Sequence, residues 1–203
     1  MPSLVTPALP AGTLAALEQP VLDGADGVRL RPWRESDVPA VVNAFADPGI
    51  QRWHCRTLDE DEAREWLARW PRDWHAEVGA SWAILSETAT RQDSPGTELF
   101  GSVAGQIGLR RIDLEEGRAA ISYWVVPAAR GHRIASRALA ALTGWAFGTL
   151  GLHRLELSHS TANPASCRVA ARSGFTAEGV RRSEARHADG WHDMHVHARV
   201  HSD

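Results

Sequence analysis

The chain has 203 residues, 43% of them hydrophobic and 23% charged, with a formal net charge of −3 at pH 7. That length suits one ordinary globular domain with a full core, and the charge balance gives no global attraction to nucleic acid or to an anionic membrane surface. No apolar run approaches the roughly 20 residues that span a bilayer, the first residues lack the basic region of a secretory signal, and Cys55 and Cys167 build neither a disulfide framework nor a zinc spacing, so a cytoplasmic protein with no membrane and no nucleic-acid partner is expected.

Residues 1–27 are rich in Pro, Ala and Gly and carry little charge, which sets them apart as an N-terminal extension packed on a single domain over 28–203. Val28-Arg29-Leu30-Arg31-Pro32-Trp33 alternates as a half-buried strand does, and Ser36 or Asp37 can cap a helix that runs to about Ala46. Thr57 and Glu60 fit a capping box, after which Ala63, Trp66, Leu67, Trp70 and Trp74 recur at helical spacing, and Asp59 to Glu62 load that helix's first turn as its dipole favours. Strands are predicted at about Ser81–Ser86, Phe100–Arg110 and Arg118–Val126, with a polar loop over Glu87–Glu98 and a turn at Glu115-Glu116-Gly117. Tyr123 to Ala135, YWVVPAARGHRIA, then carries the third of these strands through a glycine turn into a helix that ends near Gly148–Gly151. Exposed turn amides followed at once by a helix N-terminus make a local site for phosphate oxygens. Arg154–His159 alternates as a strand, Asn163-Pro164 opens a further helix, Gly174-Phe175 closes it, and two strands follow at about Thr176–Arg186 and Asp193–Val200.

A glycine turn between strand and helix also occurs in dinucleotide folds, but there it follows the first strand, whereas here it follows the fourth. All 22 basic residues are arginine and lysine is absent, so Schiff-base chemistry on a side-chain amine and a Walker-type phosphate lysine are both excluded. Seven of the ten histidines lie from His153 onward, and alternation puts His195 and His197 on one face with Met194, Val196, Ala198 and Val200 on the other. The histidines are read as the wet side of that strand, and no metal site is expected.

The order β-α-α-β-β-β-loop-α-β-α-β-β, taken with Leu30-Arg31-Pro32-Trp33, Asp37, Tyr123-Trp124, Arg130-Gly131-His132-Arg133-Ile134-Ala135, Asn163-Pro164-Ala165-Ser166, Gly174-Phe175, Glu178-Gly179 and Gly190-Trp191-His192-Asp193, resembles the GCN5-related N-acetyltransferase (GNAT) superfamily. The likeness runs from about Val28 to Val200 and leans to its RimJ/RimL branch, which acetylates protein N-termini. It implies an α/β (α+β) fold with a mixed, mostly antiparallel sheet of six to seven strands, flanked by helices and splayed between its fourth and fifth strands. It implies acetyl-CoA as cofactor and a primary amine, most simply a protein or peptide N-terminus, as acceptor. A small-molecule amine, or a non-catalytic acyl-CoA-binding module, is the alternative, and the chain is expected as a monomer or homodimer.

Carried over by resemblance, Val125 and Val126 pair with pantetheine, while Arg130, Gly131, His132, Arg133, Ile134 and Ala135 hold the pyrophosphate. Arg133 stands where that family's loop has its central glycine, and an arginine does not easily take a positive φ. Asn163 corresponds to an asparagine on the pantetheine arm and Ser166 to a hydroxyl that returns a proton to the leaving thiolate, although both also suit a plain helix cap. Ala120 replaces a glutamate that serves many relatives as general base; Glu184 takes that role in this reading, with Asp193 and His54 as substitutes acting through water. Trp53, His54, Trp191 and Asp193 border the acceptor side, and Cys167 is read as core.

Overall fold

The computed structural model describes residues 4–86 and 103–203; the polar loop and the first residues of the strand expected from Phe100 lie outside them. Eight strands form one sheet: β1 (Leu22–Asp23), β2 (Val28–Pro32), β3 (Gly79–Ser86), β4 (Val103–Asp113), β5 (Arg118–Val125), β6 (Arg154–Ser160), β7 (Thr176–His187) and β8 (Gly190–Val200), in the spatial order β1-β2-β3-β4-β5-β6-β8-β7. The helices are α1 (Val38–Ala46), α2 (Pro48–His54), α3 (Glu60–His75), α4 (Ile134–Trp145) and α5 (Pro164–Arg172). Among the described residues every pairing is antiparallel except that of β5 with β6. A parallel pair needs a long crossover, and α4 supplies it.

The sheet thus has one strand more than the six to seven expected, because β1 pairs Leu22 with Leu30 and Asp23 with Arg29 and two residues are too few for alternation to show. Two helix starts also differ. α3 begins at Glu60, its reciprocal cap made by Asp59 and Glu62 at 2.9 Å each way, rather than by Thr57 and Glu60. The segment before it holds a further helix, α2: Asp47 Oδ1 accepts from Ile50 N–H at 2.9 Å, and Pro48 fills the first turn, where a missing N–H costs nothing. Asp37 caps the turn ahead of α1 by accepting from Arg34 N–H at 2.8 Å, and both its oxygens take Arg31 guanidinium nitrogens at 2.7 Å.

β5 separates two clusters of buried side chains. Alternation sends Ile121 and Tyr123 toward the larger, which holds Trp82, Ile107, Leu139, Leu142 and Leu157, and Trp124 toward the smaller, with Val41, Phe45, Ala63, Trp66 and Trp70. Most of the tryptophans are therefore core. Gly105 of β4 permits the close approach that holds this part of β5: a Cβ there would sit 2.3 Å from the Trp124 carbonyl oxygen.

The N-terminal extension belongs to the larger cluster. Leu14 is fully buried, the indole N–H groups of Trp74 and Trp82 donate to the carbonyls of Leu17 and Pro20 at 2.8 and 2.7 Å, and the Glu77 carboxylate accepts from the N–H groups of Gly12 and Leu14 at 2.7 and 2.6 Å. Desolvation works against the charged form of Glu77, and these bonds outweigh it to leave its pKa below the usual carboxylate range. Leu14→Ala is therefore expected to cost about 3 kcal/mol, the figure for a leucine lost from a packed core, measured as a shift of the urea midpoint at unchanged slope.

Candidate functional site

β5 and β6 pair over four residues, Arg118↔Arg154 to Ile121↔Leu157, and then part. Beyond that point Ser122 to Val125 stay laddered to β4, and Ser158 to Ser160 stay laddered to β8. The expected splay is there, and it opens on a cavity of about 760 Å³. Val126 N–H bonds to the Ala104 carbonyl at 3.0 Å, so alternation turns the N–H and C=O groups of Val125 and Tyr123 the other way, into the gap. The Val125 carbonyl there accepts from Arg130 Nε at 3.1 Å and the Tyr123 carbonyl accepts from the His54 ring, which leaves the two N–H groups as the donors of this edge. Val126 departs from expectation: its N–H is held by Ala104 and its carbonyl takes Ala129 N–H at 3.0 Å, so it offers no backbone group to a ligand.

After β5 a short 3₁₀ turn, Pro127–Ala129, leads to Gly131 at φ +84 and Arg133 at φ +58, ψ 18. Arg133 thus takes the left-handed conformation that its side chain disfavours, at a cost of roughly 1 kcal/mol. In return the backbone coils as a glycine there would coil it, and α4 starts at once. Among the described residues, the N–H groups of 131–136 have no acceptor in the turn, loop and cap hydrogen bonds, and those of Ile134, Ala135 and Ser136 are the orphan donors of a helix start. A Cβ at Gly131 would meet nothing within 4 Å, so the space beside that residue is open. Gly131, Arg133, Ile134 and Ala135 line the cavity; His132 does not, its Nδ1 lying 3.0 Å from the Arg130 carbonyl oxygen. Arg130 reaches back to Asp47 Oδ1 at 2.5 Å, which fastens the turn to the start of α2.

Across the gap, Asn163 caps α5, its Oδ1 accepting from Ser166 N–H at 3.1 Å. Ser166 is 9% exposed, and its Oγ lies 2.7 Å from the Tyr123 hydroxyl, whose pKa burial pushes up to about 12 against the pull of this bond. The two hydroxyls face each other where β5 leaves β6. Tyr123 lacked any mark in the sequence as a site residue, since its partner lies on a different element. Arg168 and Arg172, one turn apart on α5, add positive charge to the wall, and their i, i+4 spacing after Asn163-Pro164 was a signal for them.

Trp53 and His54 reach the cavity from the last turn of α2. Burial pushes the His54 pKa down to about 4, with Arg56 and Arg110 adding to the effect and its bond to the Tyr123 carbonyl opposing it, so the ring is neutral at pH 7. Three residues expected beside them are elsewhere. Glu184 is off the cavity wall, its carboxylate on Arg181 Nη1 at 2.8 Å, because irregular pairing between Arg181 and Ala185 of β7 turns Ala185, Arg186 and His187 inward instead. Asp193 spends its carboxylate on Ser183 N–H at 2.8 Å within the same irregularity, and Trp191 stands 64% exposed at the hairpin tip. Among the described residues, the walls therefore carry Arg130, Arg133, Arg168, Arg172 and Arg186 and no carboxylate. The strand read as having a wet histidine face is also corrected: α5 covers it, and His197 is 2% exposed.

The model of the acetyltransferase (GNAT) domain family matches residues 28–176. The uncharacterized N-acetyltransferase YoaA of Bacillus subtilis is 27% identical over 165 residues, 80% of this chain and 86% of that protein. The ribosomal-protein-serine acetyltransferase of Escherichia coli is 32% identical over 96 residues, 47% of this chain and 54% of that one. Among solved structures, RimL, a ribosomal L7/L12 alpha-N-protein acetyltransferase in complex with coenzyme A, superposes with a TM-score of 0.76 at 22% identity, covering 89% of this chain and 98% of its own. The fold is that of these acetyltransferases.

Two outcomes follow from the strain at Arg133 and the buried ring of His54. Arg133→Gly is expected to raise stability by about 1 kcal/mol by urea unfolding while weakening coenzyme A binding by calorimetry, since it relieves the left-handed residue and removes a cation. For His54, the unfolded chain takes up a proton below pH 6.5 that the folded chain refuses until about pH 4, so stability is lost as pH falls through that window. From pH 7 to pH 5 the wild type should lose up to about 2 kcal/mol more than His54→Gln.

Proposed function

We propose, for a chain that belongs to the acetyltransferase (GNAT) family, that it transfers an acetyl group from acetyl-CoA to the N-terminal amine of a protein or peptide. The observation that carries this reading is the gap beside β5, bounded among the described residues by free amide donors and arginines and by no carboxylate. Those donors fit a diphosphate: orphan N–H groups at residues 131–136, with Arg133, Arg168 and Arg172 near them, offer donors and positive charge together. The relatives named for ribosomal proteins and for alpha-N acetylation support the choice of acceptor.

Bound acetyl-CoA supplies an acetyl group already activated as a thioester. The Val125 N–H, turned into the gap, polarises the carbonyl as it takes up negative charge, where a fixed donor counts most. Ser166 gives its hydroxyl proton to the departing thiolate and regains one from Tyr123, protonated throughout the neutral range, which is reprotonated in turn by the proton that the amine nitrogen sheds to cavity water as the amide forms. The amine attacks the thioester directly; Cys167 is not on the cavity wall, and Cys55, which is on it with its Sγ 3.4 Å from His187 Nδ1, takes no part in the step.

The arginine-rich wall also selects the acceptor's protonation state. With several cations and no anion among the described residues that line it, the site disfavours an ammonium, so the amine enters neutral. At pH 7 an α-amine with a pKa near 8 is roughly 10% neutral, whereas a lysine near 10.4 is only ~0.04% neutral. An N-terminus therefore needs no strong base here, which fits the placement of Glu184 away from the cavity.

Thiol release from acetyl-CoA, followed with peptides that offer either a free N-terminus or only a lysine, tests this reading. The free N-terminus is expected to react at least about 100-fold faster at pH 7, with kcat/KM rising in step with pH up to the pKa of the acceptor amine. Ser166→Ala should lower kcat by about 100-fold, the scale of one lost proton donor, and Glu184→Gln should leave it near wild type. Coenzyme A binding with no transfer to any amine would sink the proposal, and transfer confined to small-molecule amines would replace its acceptor.

A further inference from the structure

His159 on β6, His195 and His197 on β8 and Cys167 on α5 bring four ligand atoms within 4.8 Å of one another. The register explains how: His159 pairs directly with His195, and His197, two residues on, shares that face, over which α5 lays Cys167. Two backbone contacts fix where the protons sit in this cluster. His159 Nδ1 lies 2.8 Å from the Ser160 carbonyl oxygen and His197 Nδ1 lies 3.3 Å from that of Phe175. A carbonyl only accepts, so both Nδ1 atoms carry the proton and each neutral ring presents a bare lone pair at Nε2. Those two Nε2 atoms face each other at 3.2 Å, on residues 6% and 2% exposed. Neither can donate to the other, and two buried lone pairs meeting head-on call for a cation between them.

We propose that His159 Nε2, His195 Nδ1, His197 Nε2 and Cys167 Sγ bind one Zn²⁺ ion. Zinc at its usual distances from nitrogen and sulfur sets tetrahedral edges of about 3.3 Å between nitrogens and about 3.6 Å between nitrogen and sulfur. The observed 3.2 Å between the two Nε2 atoms and 3.9 Å from Cys167 Sγ to both His195 Nδ1 and His197 Nε2 lie close to those edges. The backbone bonds at both Nδ1 atoms are the outer support that fixes a zinc-binding histidine's tautomer. Three imidazoles and a thiolate fill a tetrahedron, so the ion has no open position and is structural. Binding releases one proton, that of the Cys167 thiol, to solvent, while the neutral histidines release none. Its effect is to fasten α5, one residue after Ser166, to β6 and β8.

The test uses full-length protein free of any polyhistidine tag, analysed for zinc as purified, then stripped with chelator and titrated with Co²⁺ alone. One equivalent of metal per chain is expected, with the intense visible bands of tetrahedral Co²⁺, a thiolate-to-cobalt charge-transfer band, and displacement of both by Zn²⁺. Cys167→Ser should abolish the charge-transfer band and weaken Zn²⁺ binding by at least about 100-fold, and His195→Gln, altering the half-buried ligand, should abolish the tetrahedral bands. His192→Ala, outside the cluster, should change neither. Wild-type protein that gives no stoichiometric zinc and no tetrahedral cobalt spectrum overturns the proposal, as does a spectrum that persists in both ligand variants.

Discussion

The site depends on two neighbouring strands that stop hydrogen-bonding to each other after four residue pairs while each keeps its other partner. β5 is retained by β4, where Gly105 allows contact that any side chain would block, and β6 is retained by β8. The unpaired edges would be a defect in a closed sheet, since buried N–H groups demand acceptors. Here the Tyr123 and Val125 carbonyls already have side-chain donors, so what is left over is a row of N–H groups of one polarity. Three other parts of the cavity add donors to that row: the turn at Gly131, the start of α4 and the arginines of α5.

That polarity explains the division of labour in the cavity. Under the proposed reaction polyphosphate and thioester are both met by donors, and the hydroxyl pair of Tyr123 and Ser166 lies where the strands part. The acidic groups near the site serve elsewhere: Asp47 holds Arg130, Glu184 holds Arg181, and Asp193 closes the irregular stretch of β7. On the proposed reading, the enzyme depends on its acceptor being partly neutral in solution, a condition that α-amines meet far better than lysines.

Signals confined to one element were legible in the sequence. Asn163-Pro164 and Gly174-Phe175 bracket α5 as expected, with Phe175 N–H bonded to the Ala170 carbonyl at 3.0 Å, and the turn at 131–135 leads straight into α4. What escaped depends on distance through space or on one-residue offsets. Glu184 sits in an irregular stretch of β7 pairing just before Ala185, Arg186 and His187, all three of which reach the wall, so strand alternation could not assign its place. Cys167 and His195 are 28 residues apart in the chain and share no helical or strand period, so only the fold shows them as neighbours. Arg133 is the opposite case: its residue type argues against a left-handed turn, and the surrounding structure imposes one.

The packing of the N-terminal extension bears on where this domain ends. Family likeness starts at residue 28, yet Leu14 plugs the core and Trp74 and Trp82 anchor to carbonyls before that boundary. A chain trimmed to the recognisable segment would leave two indoles without acceptors and an empty socket beside them. Its failure to fold would then be easily mistaken for a missing activity, so for this protein the physical edge of the domain should be drawn from packing and not from sequence similarity.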